Sequence, residues 1–290
     1  MSSLLIGVEL HPRNVEEALR ALNTVVNRLA VRKDARAVFP DVYAIVTRHL
    51  AAEVRRQQGL FQEPQWISRL AGRFAERYLE TLAWSLEGQS QDCTAWEVAH
   101  RYAQQGLTFP LQDAALGISA HVNFDLALGL WHTIEEFGDT SPRRLARYKG
   151  DFDALNALLA ASLPETLARL AGRYGCSTTA VVAGRALRPV TSTLLLQVVY
   201  RWREHVWDNV LALVHARSEH ERARVIFHMH QHSGRLGHLF SLSSRVRHMG
   251  RALLSAVPRP TSTDTRPLAR LYRLRPWAPQ PAPEQVPLAG

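Results

Sequence analysis

The residues best suited to chemistry lie in one apolar segment near the middle of the chain. His121 and Asp125 are four residues apart, which in an α-helix brings their Cβ atoms to about 5–6 Å from each other. A carboxylate at that distance either orients the imidazole and fixes its tautomer, or joins it as a ligand of a divalent metal ion. The pair therefore predicts acid–base catalysis or metal-assisted catalysis, with both residues as catalytic candidates and as metal-ligand candidates.

A helical projection of residues 111–137 arranges the other polar side chains around this pair. With His121 at zero and about 100° per residue, Asp125 and His132 fall within about 40° of it. Asn123 lies about 200° away. His132 is about 16 Å from His121 along the axis, too far to share a metal ion. We predict that His132 and Asn123 contact a substrate rather than react with it.

A second candidate set lies on the helix predicted over Thr191–Arg217. Glu204 is the third catalytic candidate, and Arg203 is the candidate that would bind a polar group of a substrate. Trp207, together with Trp131 of the central segment, would contact the apolar part of such a molecule. This prediction requires the charged stripe of this helix, which contains Arg203 and Glu204, to face the central helix. The simpler alternative is a charged face exposed to solvent.

Histidines recur further along the chain. His228 and His232 are four residues apart and have the spacing of a zinc-chelating pair on a helix. No glutamate follows His228, so the segment is not the H-E-x-x-H motif of metalloproteases. The alternative that we favour is an exposed, histidine-rich helix.

A purely structural role for the central pair stays open. The side chains around it are mostly apolar, as expected for a buried helix, and buried polar groups must find hydrogen-bond partners. His121, Asn123 and Asp125 would then form a network that joins neighbouring helices. Gly117 and Gly129 bracket the pair, and they would permit close approach of another helix or of a ligand.

Apolar residues recur three and four positions apart through most of the chain, which predicts an all-α fold. We expect a single bundle of about 8–10 helices over residues 1–256, followed by a Pro-rich, extended or disordered tail over 257–290. The predicted helices are Val15–Ala30 after an Asn14 cap, Val42–Gln57 after an Asp41 cap, Pro64–Leu86, Thr94–Gln104, Leu111–Phe137, a segment from Pro142 toward Pro164, Glu165–Tyr174, Thr191–Arg217, Glu219–His232 and Gly234–Ser255.

The composition excludes several classes of protein. Of 35 basic residues, only Lys33 and Lys149 are lysines, and the arginines are scattered among glutamates. This spread is typical of solvated helix faces, so the net charge of +9 does not lead us to expect nucleic-acid binding. The sequence has no phosphate-binding P-loop, no Rossmann glycine motif and no G-x-S-x-G. We therefore expect no nucleotide cofactor.

The chain has the features of a cytoplasmic protein. Its two cysteines, Cys93 and Cys176, form no C-x-x-C pair, which fits a reducing compartment. No apolar run approaches the roughly 20 residues of a membrane span, and the first residues do not resemble a signal peptide. A homo-oligomer is compatible with all of these features.

The segment from Gly117 to Gly129, GISAHVNFDLALG, resembles the signature of an uncharacterised all-helical bacterial family, a domain of unknown function with a core like G-M-N-A-H-I-N-x-D-L. The blocks beginning at Arg73 (RFAERYL) and at Arg203 (REHVWDN) resemble two other blocks of that family. The resemblance spans roughly residues 10–220. Ser119 and His205 depart from the expected pattern. The resemblance implies a fold and the location of a site, but no reaction.

Two functions follow from these residues. In the first, the protein is an enzyme that uses the His121–Asp125 pair for hydrolysis, elimination or cyclisation of a largely apolar small molecule, such as one of bacterial secondary or lipid metabolism. In the second, it is a non-catalytic binding or scaffold protein whose polar residues are structural. A third, less favoured alternative is an arginine-driven binder of nucleic acid or anionic membranes. Whether the pair lines a cavity distinguishes the first two.

Overall fold

The computed structural model describes residues 2–56, 59–89, 93–175 and 188–256, and it describes the side chains of these residues except those of 188–193, 195 and 243–256. It confirms the all-α class, and the described residues contain no strand. The helices are α1 (Val15–Val31), α2 (Val38–Val54), α3 (Pro64–Leu86), α4 (Thr94–Gln104), α5 (Pro110–Ala120), α6 (Leu126–Phe137), α7 (Pro142–Tyr174), α8 (Arg188–His215) and α9 (Glu219–Ala256), with a 3-10 turn at Ala35–Ala37.

Helices α5 and α6 are two parts of one continuous central helix, joined by a π-helical turn at His121–Asp125. Most of the other helices pack around it, whereas α1 packs on α2 and α3. Its first part contacts α2, α4 and α9, whereas its second part contacts α3 and α8. The predicted central helix is therefore the axis of the bundle, and the polar residues at its middle, His121, Asn123 and Asp125, lie in the core.

The amphipathic pattern of α1 shows how the sequence fixes these helices. The side chain of Asn14 accepts a hydrogen bond of 2.9 Å from the backbone N–H of Glu17, which confirms Asn14 as the N-cap. One stripe of the helix is buried against α2 and α3. The buried residues are Val15, Ala18, Ala21, Leu22, Val25, Val26 and Leu29.

The prediction that Asp41 caps a helix is wrong. Helix α2 begins at Val38, because Pro40 is compatible with the first turn of a helix. The carboxylate of Asp41 is buried and accepts hydrogen bonds from Arg169 (2.6 Å), Arg173 (3.0 Å) and the Tyr174 hydroxyl (2.9 Å). Asp41 therefore ties the start of α2 to the end of α7.

Two predicted breaks between helices are also absent. Helix α7 continues through Pro164, and α9 continues through Gly234. A Cβ on Gly234 would lie 3.4 Å from the Cβ of Thr94, and one on Gly237 would lie 3.3 Å from the Cα of Ala95. Gly234 and Gly237 therefore lie where α9 packs against α4, and they do not end the helix.

Two further predictions fall outside the described residues. The Pro-rich tail over 257–290 is one, and Cys176 is the other. Cys93 is a buried free thiol. Among the described helices, none combines the length and the apolar character that crossing a bilayer requires.

Candidate functional site

The central helix departs from α-geometry at the predicted site. The backbone N–H of Leu126 bonds to the carbonyl of His121, a separation of five residues instead of four. One residue added to a turn rotates everything after it by about 100°. His132 is therefore moved off the predicted face, and its side chain is 45% exposed beside Glu135. Isolated π-turns of this kind occur frequently at functional sites.

The π-turn places His121, Asp125 and Trp96 in one hydrogen-bonded group. His121 Nδ1 lies 2.8 Å from Asp125 Oδ2, and the same oxygen accepts a 2.7 Å hydrogen bond from the indole N–H of Trp96. Because an indole can only donate, Oδ2 acts as an acceptor. An ionised carboxylate can only accept, so the nitrogen that faces it, Nδ1, must carry the single proton of the neutral imidazole. The other nitrogen of His121, Nε2, carries a bare lone pair.

This group has buried polar atoms that no described residue satisfies. They include Nε2 of His121 and Oδ1 of Asp125, and the hydroxyl of Tyr78 is a third such atom nearby. Networks whose role is structural are normally satisfied throughout, since an unpaired buried group costs about 1–3 kcal/mol. Other buried side-chain atoms of the described residues are also unpaired, among them Nε2 of His100, so the distinguishing feature of this group is that its free nitrogen belongs to an imidazole whose tautomer is fixed by Asp125.

An aromatic cage encloses the imidazole of His121. The ring of Phe74 stacks on it with centroids 3.4 Å apart and an interplanar angle of 7°. Tyr43 meets its edge with centroids 4.8 Å apart. The rings that complete the cage are those of Phe39, Tyr78 and Trp96. His121 is only 2% exposed as a result.

Burial decides the protonation of the cage. It lowers the pKa of His121, although the hydrogen bond to Asp125 opposes that change. Burial also raises the pKa of Tyr43 well above its usual value, and the negative charge of Asp125 adds to this effect. At neutral pH the imidazole is therefore neutral and the phenol is protonated.

A second histidine lies behind Trp96. The imidazole of His100 stacks on the indole with centroids 5.0 Å apart and an interplanar angle of 15°. It is buried, and burial together with the charge of Arg36 lowers its pKa to about 3. His100 is thus a neutral aromatic partner that holds Trp96 in place.

A cavity of about 80 Å³ adjoins the cage on the far side of Phe74 and Tyr43, which line both. Helices α2, α3, α6, α7 and α8 form its wall. The hydroxyl of Thr47 is bonded to the carbonyl of Tyr43, so the wall is apolar apart from Arg203 and Tyr43. The remaining lining residues are Val46, Leu50, Ile67, Leu70, Ala71, Leu126, Leu155, Leu158 and Leu159.

The structure brings only part of helix α8 to this region. Arg203 lines the cavity and is 5% exposed. Trp207 is buried and packs on Phe152 with ring centroids 5.6 Å apart, without lining the cavity. Glu204, expected beside the pair as a catalytic residue, is instead on the surface, where its 61% exposed side chain pairs with Lys149. The charged stripe of α8 is thus largely solvated.

Asn123 and Trp131 do not join the pair either. The side-chain amide of Asn123 donates a 3.0 Å hydrogen bond to the carbonyl of Ser119 in its own helix. Trp131 is half-buried beside His132, with ring centroids 4.4 Å apart. Neither residue lines the cavity.

The donor atoms around His121 do not fit a metal site. Nδ1 of His121 and Oδ2 of Asp125 bind each other, and no third imidazole, carboxylate or thiol in the described ranges groups with them. Among those ranges, the one group with suitable spacing is His11, Glu76 and Glu80 at the surface. Its carboxylates already have arginine partners in Arg73 and Arg77.

The histidine-rich part of α9 is largely exposed, which agrees with the alternative that we favoured from the sequence. His228 is exposed, whereas His232 is half-buried and faces His205 of α8 with ring centroids 5.2 Å apart. Burial lowers the pKa of His232, and the neighbouring His205 adds to the effect. In the described residues, these side chains form no group of three metal ligands.

Comparison with known proteins places the chain in a family without assigning a reaction. The profile of the Family of unknown function (DUF5995) matches residues 15–242. The chain belongs to this family. No curated protein and no solved structure matches it. The family region contains the π-turn, the aromatic cage and Arg203, and it agrees with the resemblance to an all-helical family noted in the sequence.

Most of the cage escaped prediction from the sequence. Phe74 and Tyr78 lie four residues apart in the RFAERYL block that carried part of the family resemblance, and that block was the available signal. Tyr43 and Trp96 gave none beyond being aromatic residues at buried helix positions. An indole hydrogen bond to a distant carboxylate has no signature in a single sequence.

Replacing Gly117 by Ala should destabilise the protein by about 1–3 kcal/mol, the usual cost of overpacking. A Cβ on Gly117 would lie 2.8 Å from the Cβ of Phe39 and would overlap its ring, which forms part of the cage. Urea denaturation measures the effect. Gly172→Ala in α7 is the matched control, because nothing lies within 4 Å of its added methyl group. It should stabilise by about 0.5–1 kcal/mol. Equal effects would contradict the close approach.

Proposed function

We propose that this protein is an enzyme that acts on a largely apolar small molecule, with His121 as the proton acceptor. The observation that carries the proposal is the buried, unpartnered Nε2 of an imidazole whose Nδ1 is held by Asp125. A carboxylate that fixes the tautomer of a neutral histidine is the arrangement found in general-base catalysis. Proton abstraction in an elimination or cyclisation, or activation of water for hydrolysis, would use this nitrogen.

The apolar cavity supports the choice of substrate. Its wall is almost entirely hydrocarbon, which favours an apolar molecule of the kind found in lipid or secondary metabolism. Phe74 and Tyr43 lie between the cavity and the imidazole of His121. Catalysis therefore requires these two rings to turn when the substrate binds.

A non-catalytic binding protein is the second candidate. One observation favours it, since His121 is enclosed by aromatic rings and does not line the cavity. The cavity would then bind a ligand, and the His121–Asp125–Trp96 group would only hold α4 against the central helix. The two candidates differ in what happens when the imidazole is replaced.

The test compares the wild type with His121→Gln, whose amide can still donate to Asp125 but is not a base. Each protein is incubated with an organic extract of bacterial cells, and consumed compounds are followed by mass spectrometry. We expect the wild type to consume some of these compounds. His121→Gln should consume the same compounds at least about 100-fold more slowly, because it lacks the general base. His132→Gln, on the exposed part of the same helix, is the matched control and should retain activity.

Two results would count against catalysis. If His121→Gln consumes the same compounds at the rate of the wild type, the imidazole is not the base. If the folded wild type consumes nothing while ligands of the extract still stabilise it against heat, the binding protein is the better description. Unfolding curves of each variant show that the compared proteins are folded.

We also propose a bacterial, cytoplasmic protein that takes a small-molecule substrate and does not bind nucleic acid. The buried free thiol of Cys93 supports a reducing compartment. Exposed apolar side chains on α8 and α9 support the predicted homo-oligomer, because a second copy of the chain could cover them. These side chains are Leu194, Val198, Leu239 and Leu242.

A further inference from the structure

Arg203 is a buried cation without an ion-pair partner among the described residues. The two carboxylates whose charges act on it, those of Asp153 and Glu204, are both bonded to Lys149, at 2.6 Å and 3.1 Å. A buried charge is normally paired, because desolvation without compensation costs several kcal/mol. The arginine that lines the cavity thus lacks the anion that its environment calls for.

The guanidinium of Arg203 is nevertheless held firmly. Its Nε donates a 2.8 Å hydrogen bond to Oδ1 of Asn156, and its Nη2 donates to the carbonyl of Phe152. Its central carbon lies 3.8 Å above the centroid of the Phe152 ring. These contacts occupy two of the five N–H donors of the fork. A guanidinium fixed in this way is preorganised to receive a carboxylate.

The rest of the cavity wall supplies no competing charge. Within the described part of the chain, Arg203 is the single charged residue that lines it. The cavity volume of about 80 Å³ is smaller than the roughly 150 Å³ of an engineered cavity that binds benzene. Its apolar part therefore suits a short or branched hydrocarbon group.

We propose that Arg203 anchors the carboxylate of a small apolar monocarboxylate whose hydrocarbon part fills the cavity. This inference rests on the proposed function, since it names the class of substrate that the same cavity would take. It also gives the substrate an orientation, with its charged end at α8 and its hydrocarbon end against Phe74 and Tyr43, the two rings that cover His121.

The experiment compares two probes of nearly equal shape on the full chain. Isovalerate carries a carboxylate, and 3-methylbutan-1-ol carries a neutral hydroxyl on the same branched carbon chain. Calorimetry should show isovalerate binding at least about tenfold more tightly, as expected for one charged hydrogen-bonded contact. Arg203→Met should bring the two affinities within about twofold, whereas the control Arg201→Met, exposed on the same helix, should leave the ratio unchanged.

A second variant keeps the test decisive if Arg203→Met does not fold. Ala71→Leu places a branched side chain into the cavity and leaves Arg203 intact, so it should weaken both probes by at least about tenfold. Equal affinity of the wild type for both probes would overturn the carboxylate anchor and leave the proposed enzyme standing. Absence of binding by both probes would overturn the anchor and the cavity together. If the wild type binds isovalerate tightly but His121→Gln is fully active, only the proposed catalysis is overturned.

Discussion

Asp125→Ala should destabilise the protein by about 3–5 kcal/mol, the range found when a buried charged partner is removed. The carboxylate accepts hydrogen bonds from both Trp96 and His121, and it is completely buried. Its loss leaves two buried N–H groups without an acceptor and opens a void between α4 and the central helix. Urea denaturation at pH 7.5, followed by tryptophan fluorescence, measures the change in the free energy of unfolding.

Two controls separate this effect from the loss of any aspartate. Asp153→Ala removes a 43% exposed carboxylate paired with Lys149, and it should change stability by less than about 1 kcal/mol. Asp125→Asn keeps one oxygen for the indole of Trp96 and should cost about 1–2 kcal/mol. A cost for Asp125→Ala close to that of Asp153→Ala would show that the central hydrogen bonds contribute little to the fold.

The fold was predictable because helical periodicity is a local property of the sequence. The stripe of α1 and its Asn14 cap depend on residues within a few positions of each other, and both predictions are confirmed. The errors arose where distant contacts outweigh a local signal. Asp41 has the chemistry of a cap, but arginines more than 120 residues away bury and bind it. Gly234 has the chemistry of a helix end, but it lies inside α9, where it packs against Thr94 of α4.

The site was predictable only in part. The spacing of His121 and Asp125 located their hydrogen bond, since that contact lies within one turn. The π-turn could not be foreseen, because nothing in the residues HVNFD marks a five-residue turn. It moved His132 to the surface. The residues that complete the site, Trp96 and Tyr43, reach it from other helices, and a single sequence contains no record of which helices pack together.

His100 should make the protein lose stability in mild acid. Its pKa is about 3 in the folded protein, lowered by burial and then by Arg36, against about 6.5 in an unfolded chain. Between these values the unfolded state binds the additional proton, so stability falls as the pH drops below about 6.5. The largest slope for one such group is about 1.4 kcal/mol per pH unit. Lowering the pH from 7.5 to 5 should therefore cost about 2 kcal/mol from this residue alone.

His100→Phe isolates that contribution, because a phenyl ring can still stack on Trp96 but does not titrate. The difference in unfolding free energy between variant and wild type should grow by about 2 kcal/mol in favour of the variant from pH 7.5 to pH 5. The difference between the two proteins cancels the contributions of other titrating groups. One of these is Asp113, whose pKa is raised to about 7 by burial and whose contribution to stability therefore decreases as the pH rises. Parallel stability curves for the two proteins would mean that His100 is protonated in the folded state, and that the interior behind Trp96 admits a charge.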